Sequence, residues 1–123
     1  MAKKIIQIEP EANGEPRYLE LIASSTTPHL FKSLYNMDLL KSANELTTAD
    51  EVTIDSILFI ERLAFVMNLQ TRYSTKDILN KITYEDFIIW LDNYIDADFV
   101  NHCEDILNVW FSSLKGTSTL KNA

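Results

Sequence analysis

A mainly α fold, a compact bundle of about five to six helices behind a short N-terminal β-hairpin or extended arm, is what this 123-residue chain predicts. Three observations carry that prediction. Proline occurs only at positions 10, 16 and 28, which confines the strongest helix breakers to the first quarter. Beyond Pro28, apolar residues recur at steps of three and four along most of the chain. Before it stand two short β-branched or aliphatic runs. With 46% apolar and 24% charged residues, the chain has the means to bury a core. Its length suits one domain: residues 1–115, with 1–26 as the strand-like arm or hairpin and 27–115 helical.

Lys4 to Glu9 and Tyr18 to Ala23 are the two strand-like runs, joined by a loop holding Pro10, Pro16 and Asn13-Gly14. Thr27-Pro28 places an N-cap before a proline at the first helical position, where its missing N–H costs nothing, and predicts a helix to about Tyr35. Asp38 restarts a short helix through Leu39, Leu40, Ala43 and Leu46. Thr48-Ala-Asp-Glu51 is a capping box ahead of Ile54 to Leu69. That segment is apolar at 54, 57, 58, 59, 60, 63, 64, 65, 66, 67 and 69, too many for one stripe, and predicts a central helix wrapped on most sides. Ser74 or Thr75 caps a short helix with Ile78 and Leu79, and Thr83 caps the next. In that next helix Tyr84, Phe87, Ile88, Leu91 and Ile95 form the expected buried face, with Trp90 beside it. Asp96 caps a last helix with Phe99, Val100, Cys103, Ile106, Leu107, Trp110, Phe111 and Leu114 on one stripe, Trp110 reading as core. Residues 116–123 are small and polar with one apolar side chain and are expected to fray as a flexible tail.

Eighteen acids against eleven bases leave a net charge of −7, against the basic footprint that phosphate backbones require, so nucleic acid is not an expected partner. The excess is localised. Residues 77–105 hold eight acids and Lys81 alone among bases, a net of −7, while 1–76 carry −2 and 106–123 carry +2. Two glycines, Gly14 and Gly116, allow no phosphate-cradling loop. One cysteine, Cys103, makes no internal disulfide and fits a reducing compartment. The N-terminal apolar run is broken by Gln7, Glu9 and Pro10, too short for a signal core, and no run approaches a membrane span, so a cytosolic protein is expected.

Catalytic and metal chemistry find little support. The adjacent acids Asp50-Glu51, Glu85-Asp86 and Glu104-Asp105 diverge on a helix and sit where acids favour first turns or solvent. A calcium loop counted from Asp92 fails at Tyr94, Ala97 and Cys103. His102-Cys103 are helix neighbours unable to chelate one ion, and His29 is the only other histidine. The expectation is no enzyme, no cofactor and no metal. The aromatic residues Trp90, Tyr94, Trp110 and Phe111 raise the question of a protein surface instead, with Trp90 open between core and surface anchor.

From Ile57 onward a further pattern emerges. An apolar helix ends in Asn68-Leu69-Gln70, the loop Thr71-Arg72-Tyr73 follows, and Ser74-Thr75-Lys76-Asp77-Ile78-Leu79 opens a short helix before two amphipathic acidic ones. This order resembles the tail assembly chaperones of long-tailed (siphovirus-type) phages and prophages of Gram-positive bacteria, as do the length and the strand-like start. The resemblance spans residues 54–114, while the loop from Pro10 to Pro16 is longer than the family's hairpin. It implies a non-enzymatic protein of the host bacterial cytoplasm that binds the tape measure protein, keeps it soluble, helps recruit tail tube subunits and leaves before the virion is complete. It also implies a longer frameshifted product, for which codons under Leu120-Lys121-Asn122 would hold the slippery run. The last two helices are the expected partner surface, with Trp90, Tyr94, Asp92 and Asp98 as candidates. Self-association fits the long central helix and surplus aromatics. The alternative is a small acidic helical adaptor or regulator unrelated to phage tails.

Overall fold

A computed structural model of the chain describes residues 2–8, 17–48, 54–94 and 102–122. Strands β1 (Ala2–Ile8) and β2 (Arg17–Ala23) form an antiparallel pair in which Ala2 faces Ala23, Ile5 faces Glu20 and Ile8 faces Arg17. Six helices follow among the described residues: α1 (Thr27–Tyr35), α2 (Leu39–Thr48), α3 (Ile54–Leu69), α4 (Thr75–Lys81), α5 (Tyr84–Tyr94) and α6 (Cys103–Asn122). The mainly helical fold with an N-terminal hairpin is the one the sequence predicts. None of the described helices is long and apolar enough to cross a membrane.

The hairpin obeys the two-residue period of a sheet with one face covered. Ile6, Leu19, Leu21 and Ala23 are buried, while Lys3, Ile5, Gln7 and Tyr18 are exposed. The inner face packs on α3 and α6, and Lys4 reaches Asp105 of α6 with an ion pair of 3.1 Å.

Helix α1 starts differently from the expectation. Thr27 is its first residue, and Thr26 holds the cap position without a side-chain cap bond. The Thr27 hydroxyl is used elsewhere: it accepts the Ser24 N–H at 2.9 Å and donates to Gln70 Oε1 at 2.6 Å. The hydroxyl thus ties the preceding turn to Gln70, just past the end of α3. Asn36 ends α1 in the left-handed region at φ 53°, where a short amide side chain is tolerated, and its N–H donates to the Lys32 carbonyl. Asp38 Oδ1 then accepts the Lys41 N–H at 3.0 Å and starts α2 as expected. The capping box at 48–51 falls largely outside the described residues, as do Glu51 and Asp50.

Helix α3 is the central element. Every residue from Leu63 to Leu69 is buried, all the way round the helix, between β2, α1, α5 and α6. Its aromatic residues link the surrounding helices: Phe59 meets Phe31 of α1 at 5.5 Å, and Phe65 meets Phe87 and Trp90 of α5 at 5.2 and 5.3 Å. These tilted and edge-on arrangements match the ring quadrupole. On α6 the buried stripe is Ile106, Val109, Trp110 and Ser113, with Cys103, Leu107 and Phe111 half-buried beside it. Trp110 is core, as its spacing predicts. The helical backbone of α6 continues past Gly116 to Asn122, through the stretch expected to fray. Ile95, the Asp96 cap, Phe99 and Val100 lie outside the described residues.

Candidate functional site

The segment Asn68-Leu69-Gln70 ends α3 at a joint between the hairpin and the helices. Asn68 is 5% exposed and uses both ends of its amide. Its Nδ2 donates to the Glu20 carbonyl at 2.9 Å, and its Oδ1 accepts from Trp90 Nε1 and Arg72 Nη2, each at 3.0 Å. Gln70 Nε2 donates to Ser24 Oγ and Thr26 Oγ1 at 3.0 and 3.2 Å, while its Oε1 takes the Thr27 hydroxyl. Burying a polar group costs free energy unless it is hydrogen-bonded, and here two neighbouring amides tie a strand end, a helix start and two side chains together.

Of the two places the sequence leaves open for Trp90, core or surface, the structure gives it the core. It is 4% exposed, its ring lies on Phe65 and its indole N–H is held by Asn68. The buried stripe of α5 is Phe87 and Trp90 with Leu91 half-buried, whereas Tyr84 and Ile88, expected on the core face, are exposed. The 84/87/88/91 and 87/90/91 stripes overlap at helical spacing and differ by a rotation of the helix about its axis. Local pattern could not choose between them; the acceptor on Asn68, remote in sequence, selects the one that buries the indole. Asp92 is exposed on the outer face of α5. The side chain of Tyr94 and the whole of Asp98 lie outside the described residues. The structure thus joins only Trp90 and Asp92 to α5 as described side chains, one inside and one outside.

What rotates outward with Asp92 is a mixed surface. Ile88 and Ile89 are exposed, and Glu85 and Asp92 stand one turn to either side of them. Beside it opens a cleft of about 270 Å³ between the end of α3, the 70–73 turn and α5, lined by Phe65, Leu69, Ile82, Ile89 and Trp90 on its apolar side and by Arg72, Asp86 and Asn93 on its polar side. Several local bonds shape the walls. Arg72 is pinned by Asn68 and its guanidinium lies 5.6 Å above the Tyr73 ring. Ser74 Oγ accepts the Asp77 N–H at 3.2 Å and caps α4. Thr83 and Asp86 cap α5 reciprocally: Thr83 N–H donates to Asp86 Oδ2 at 2.8 Å and Asp86 N–H to Thr83 Oγ1 at 3.3 Å. The sequence places Ile88 on the core face and gives no local signal that it and Ile89 both face outward, because a helical core stripe is wide enough to hold adjacent residues.

Elsewhere, Cys103 is half-buried, and burial together with the nearby Glu61 carboxylate pushes its thiol above its ordinary value, disfavouring the nucleophilic thiolate. Burial likewise raises Glu61, against the pull of Arg62. His29 is exposed on α1 and His102 half-buried before α6. Among the described residues no three His, Cys, Asp or Glu side chains gather into a metal-binding group. Comparison with protein-family models, with curated proteins and with solved structures gives no match to this chain.

Proposed function

We propose that this chain is a phage tail assembly chaperone: it binds the tape measure protein, keeps it soluble and helps recruit tail tube subunits in the host bacterial cytoplasm, without entering the mature virion. The reading rests on the resemblance over residues 54–114 and on one structural observation, the outward face of α5. There Ile88 and Ile89 are exposed between Glu85 and Asp92, next to the mixed polar and apolar cleft beside Arg72 and Tyr73. A tape measure protein is a long helical chain whose apolar stripes must be hidden before assembly. An amphipathic helix of that kind would seat its apolar residues on the isoleucines and at the cleft mouth, and its lysines or arginines against the acids. The acids would speed encounter at rates that fall with salt. Trp90 supports the surface from beneath by holding α5 in its rotation, and Asp92 belongs to the rim.

The test is to look for a tape measure gene beside the gene of this chain and to co-express the two proteins. The partner is expected in the soluble fraction and to co-purify. Ile89→Asp, which places a third acid among the anchors without touching the buried stripe, is expected to abolish co-purification while the chaperone keeps its far-UV circular dichroism. A tape measure protein that stays insoluble with the wild-type chain would overturn the reading, and a gene neighbourhood without tail genes would favour the adaptor role.

A further inference from the structure

Strand β1 offers a second interaction surface, independent of α5. The Glu20 carbonyl turns away from β1 to accept from Asn68, so Ile5, its cross-strand partner, sits at a non-hydrogen-bonded position of the ladder. By the alternation of an antiparallel pair, Lys3, Ile5 and Gln7 then aim their backbone N–H and C=O groups at the outer edge of β1. Among the described residues no backbone group pairs with them.

Exposed edges of this kind are normally guarded by lysine, whose charge repels a second strand. Here the two lysines of β1 are already neutralised within the chain: Lys3 pairs with Glu20 at 2.9 Å and Lys4 with Asp105 at 3.1 Å. The outer face beside this edge is apolar where it counts, with Ile5 57% and Tyr18 56% exposed.

We propose that the outer edge of β1 is a homodimer interface, in which two copies join antiparallel about Ile5 into a four-stranded sheet. The occupant follows from the self-complementarity of the strand. A two-fold axis at Ile5 sets Ile5 against Ile5 of the second copy and Lys3 against Gln7, so no like charges face each other directly. The outward-aimed groups of Lys3, Ile5 and Gln7 are then the ones that bond across the axis. Lys4, on the inner face, comes opposite Ile6 and keeps its ion pair with Asp105. The outer face of the joined sheet gathers both Ile5 and both Tyr18 side chains into one apolar strip.

Light scattering coupled to gel filtration on the full chain, from micromolar to millimolar concentration, decides the matter. The wild type is expected to approach twice the chain mass as concentration rises. Ile5→Pro removes an edge N–H that the internal ladder does not use, and Ile5→Lys puts two ammonium groups at the axis; each is expected to give a folded monomer by circular dichroism. If the proline variant fails to fold, the lysine variant carries the test. A wild type that stays monomeric throughout, or an assembly that survives in the folded variants, overturns the proposal. The interface uses the hairpin alone, so the outcome is separable from the tape measure experiment.

Discussion

Replacing Asn68 by alanine tests the joint that positions α5. The substitution removes the acceptor of the buried Trp90 indole N–H and the donor to the Glu20 carbonyl; the third partner, Arg72, is exposed and can turn to water. Stranding a buried polar group costs about 1–3 kcal/mol. The indole is fully buried, while the Glu20 carbonyl is only part-buried and recovers some of its loss from water, so the expected destabilisation is about 1–4 kcal/mol. Against a typical total of about 5–15 kcal/mol, that is a large fraction of the stability. Urea unfolding followed by far-UV circular dichroism measures it. The cause is isolated by a cycle with Trp90→Phe, which removes the indole donor: in that background Asn68→Ala is expected to cost about 1 kcal/mol less. A loss below about 1 kcal/mol, or a cycle with no coupling, would refute the assignment of Asn68 as the group that sets the rotation of α5.

Three further outcomes are expected. Thr83→Ala breaks the reciprocal cap with Asp86 and is expected to lower stability by about 1 kcal/mol in the same urea assay, and by less when Asp86 is already alanine. Glu61 has its carboxyl raised from 4.5 by burial, so between that value and its folded value the native state holds a proton that the unfolded chain has released. Its contribution to stability therefore falls as pH rises through that window, and Glu61→Gln is expected to flatten the fall, read from urea midpoints between pH 4 and 7. The Cys103 thiol, raised by burial and by Glu61, is expected to react with iodoacetamide at pH 8 more slowly than a small-molecule thiol, and faster once Glu61 is glutamine.

Much of the fold was legible because its signals are local. Ser74, Thr83 and Asp38 each cap the helix they precede, since a cap needs only the next three residues. The dense apolar run from Ile54 to Leu69 predicts a central helix wrapped on most sides; its second half, Leu63 to Leu69, is buried all round, while Ile54 and Leu58 in its first turns stay exposed. The hairpin followed from two short runs on either side of a proline loop. Thr27 is the instructive exception among the caps: its position and residue type suit a cap, but its hydroxyl is claimed by Gln70, forty-three residues away.

The candidate site depended on information of that second kind. Trp90 and the pair Ile88-Ile89 compete for the core, and the amphipathic pattern of α5 accommodates either rotation. Asn68 decides, because an indole N–H can be buried at low cost only opposite an acceptor, and the acceptor lies on another helix. The lysines of β1 carry the same lesson: in sequence they read as guards of an edge, and only the placement of Glu20 and Asp105 shows them neutralised. By itself, then, the sequence determined the helical class, the order and ends of most elements, the central place of α3 and the acidic character of residues 77–105. The tertiary structure decided which side of α5 faces water, which aromatic belongs to the core and which strand edge stands open. The physical reason is that caps and periodicity are satisfied within a turn or two, whereas a buried donor or a surface charge is satisfied by whatever the fold brings opposite it.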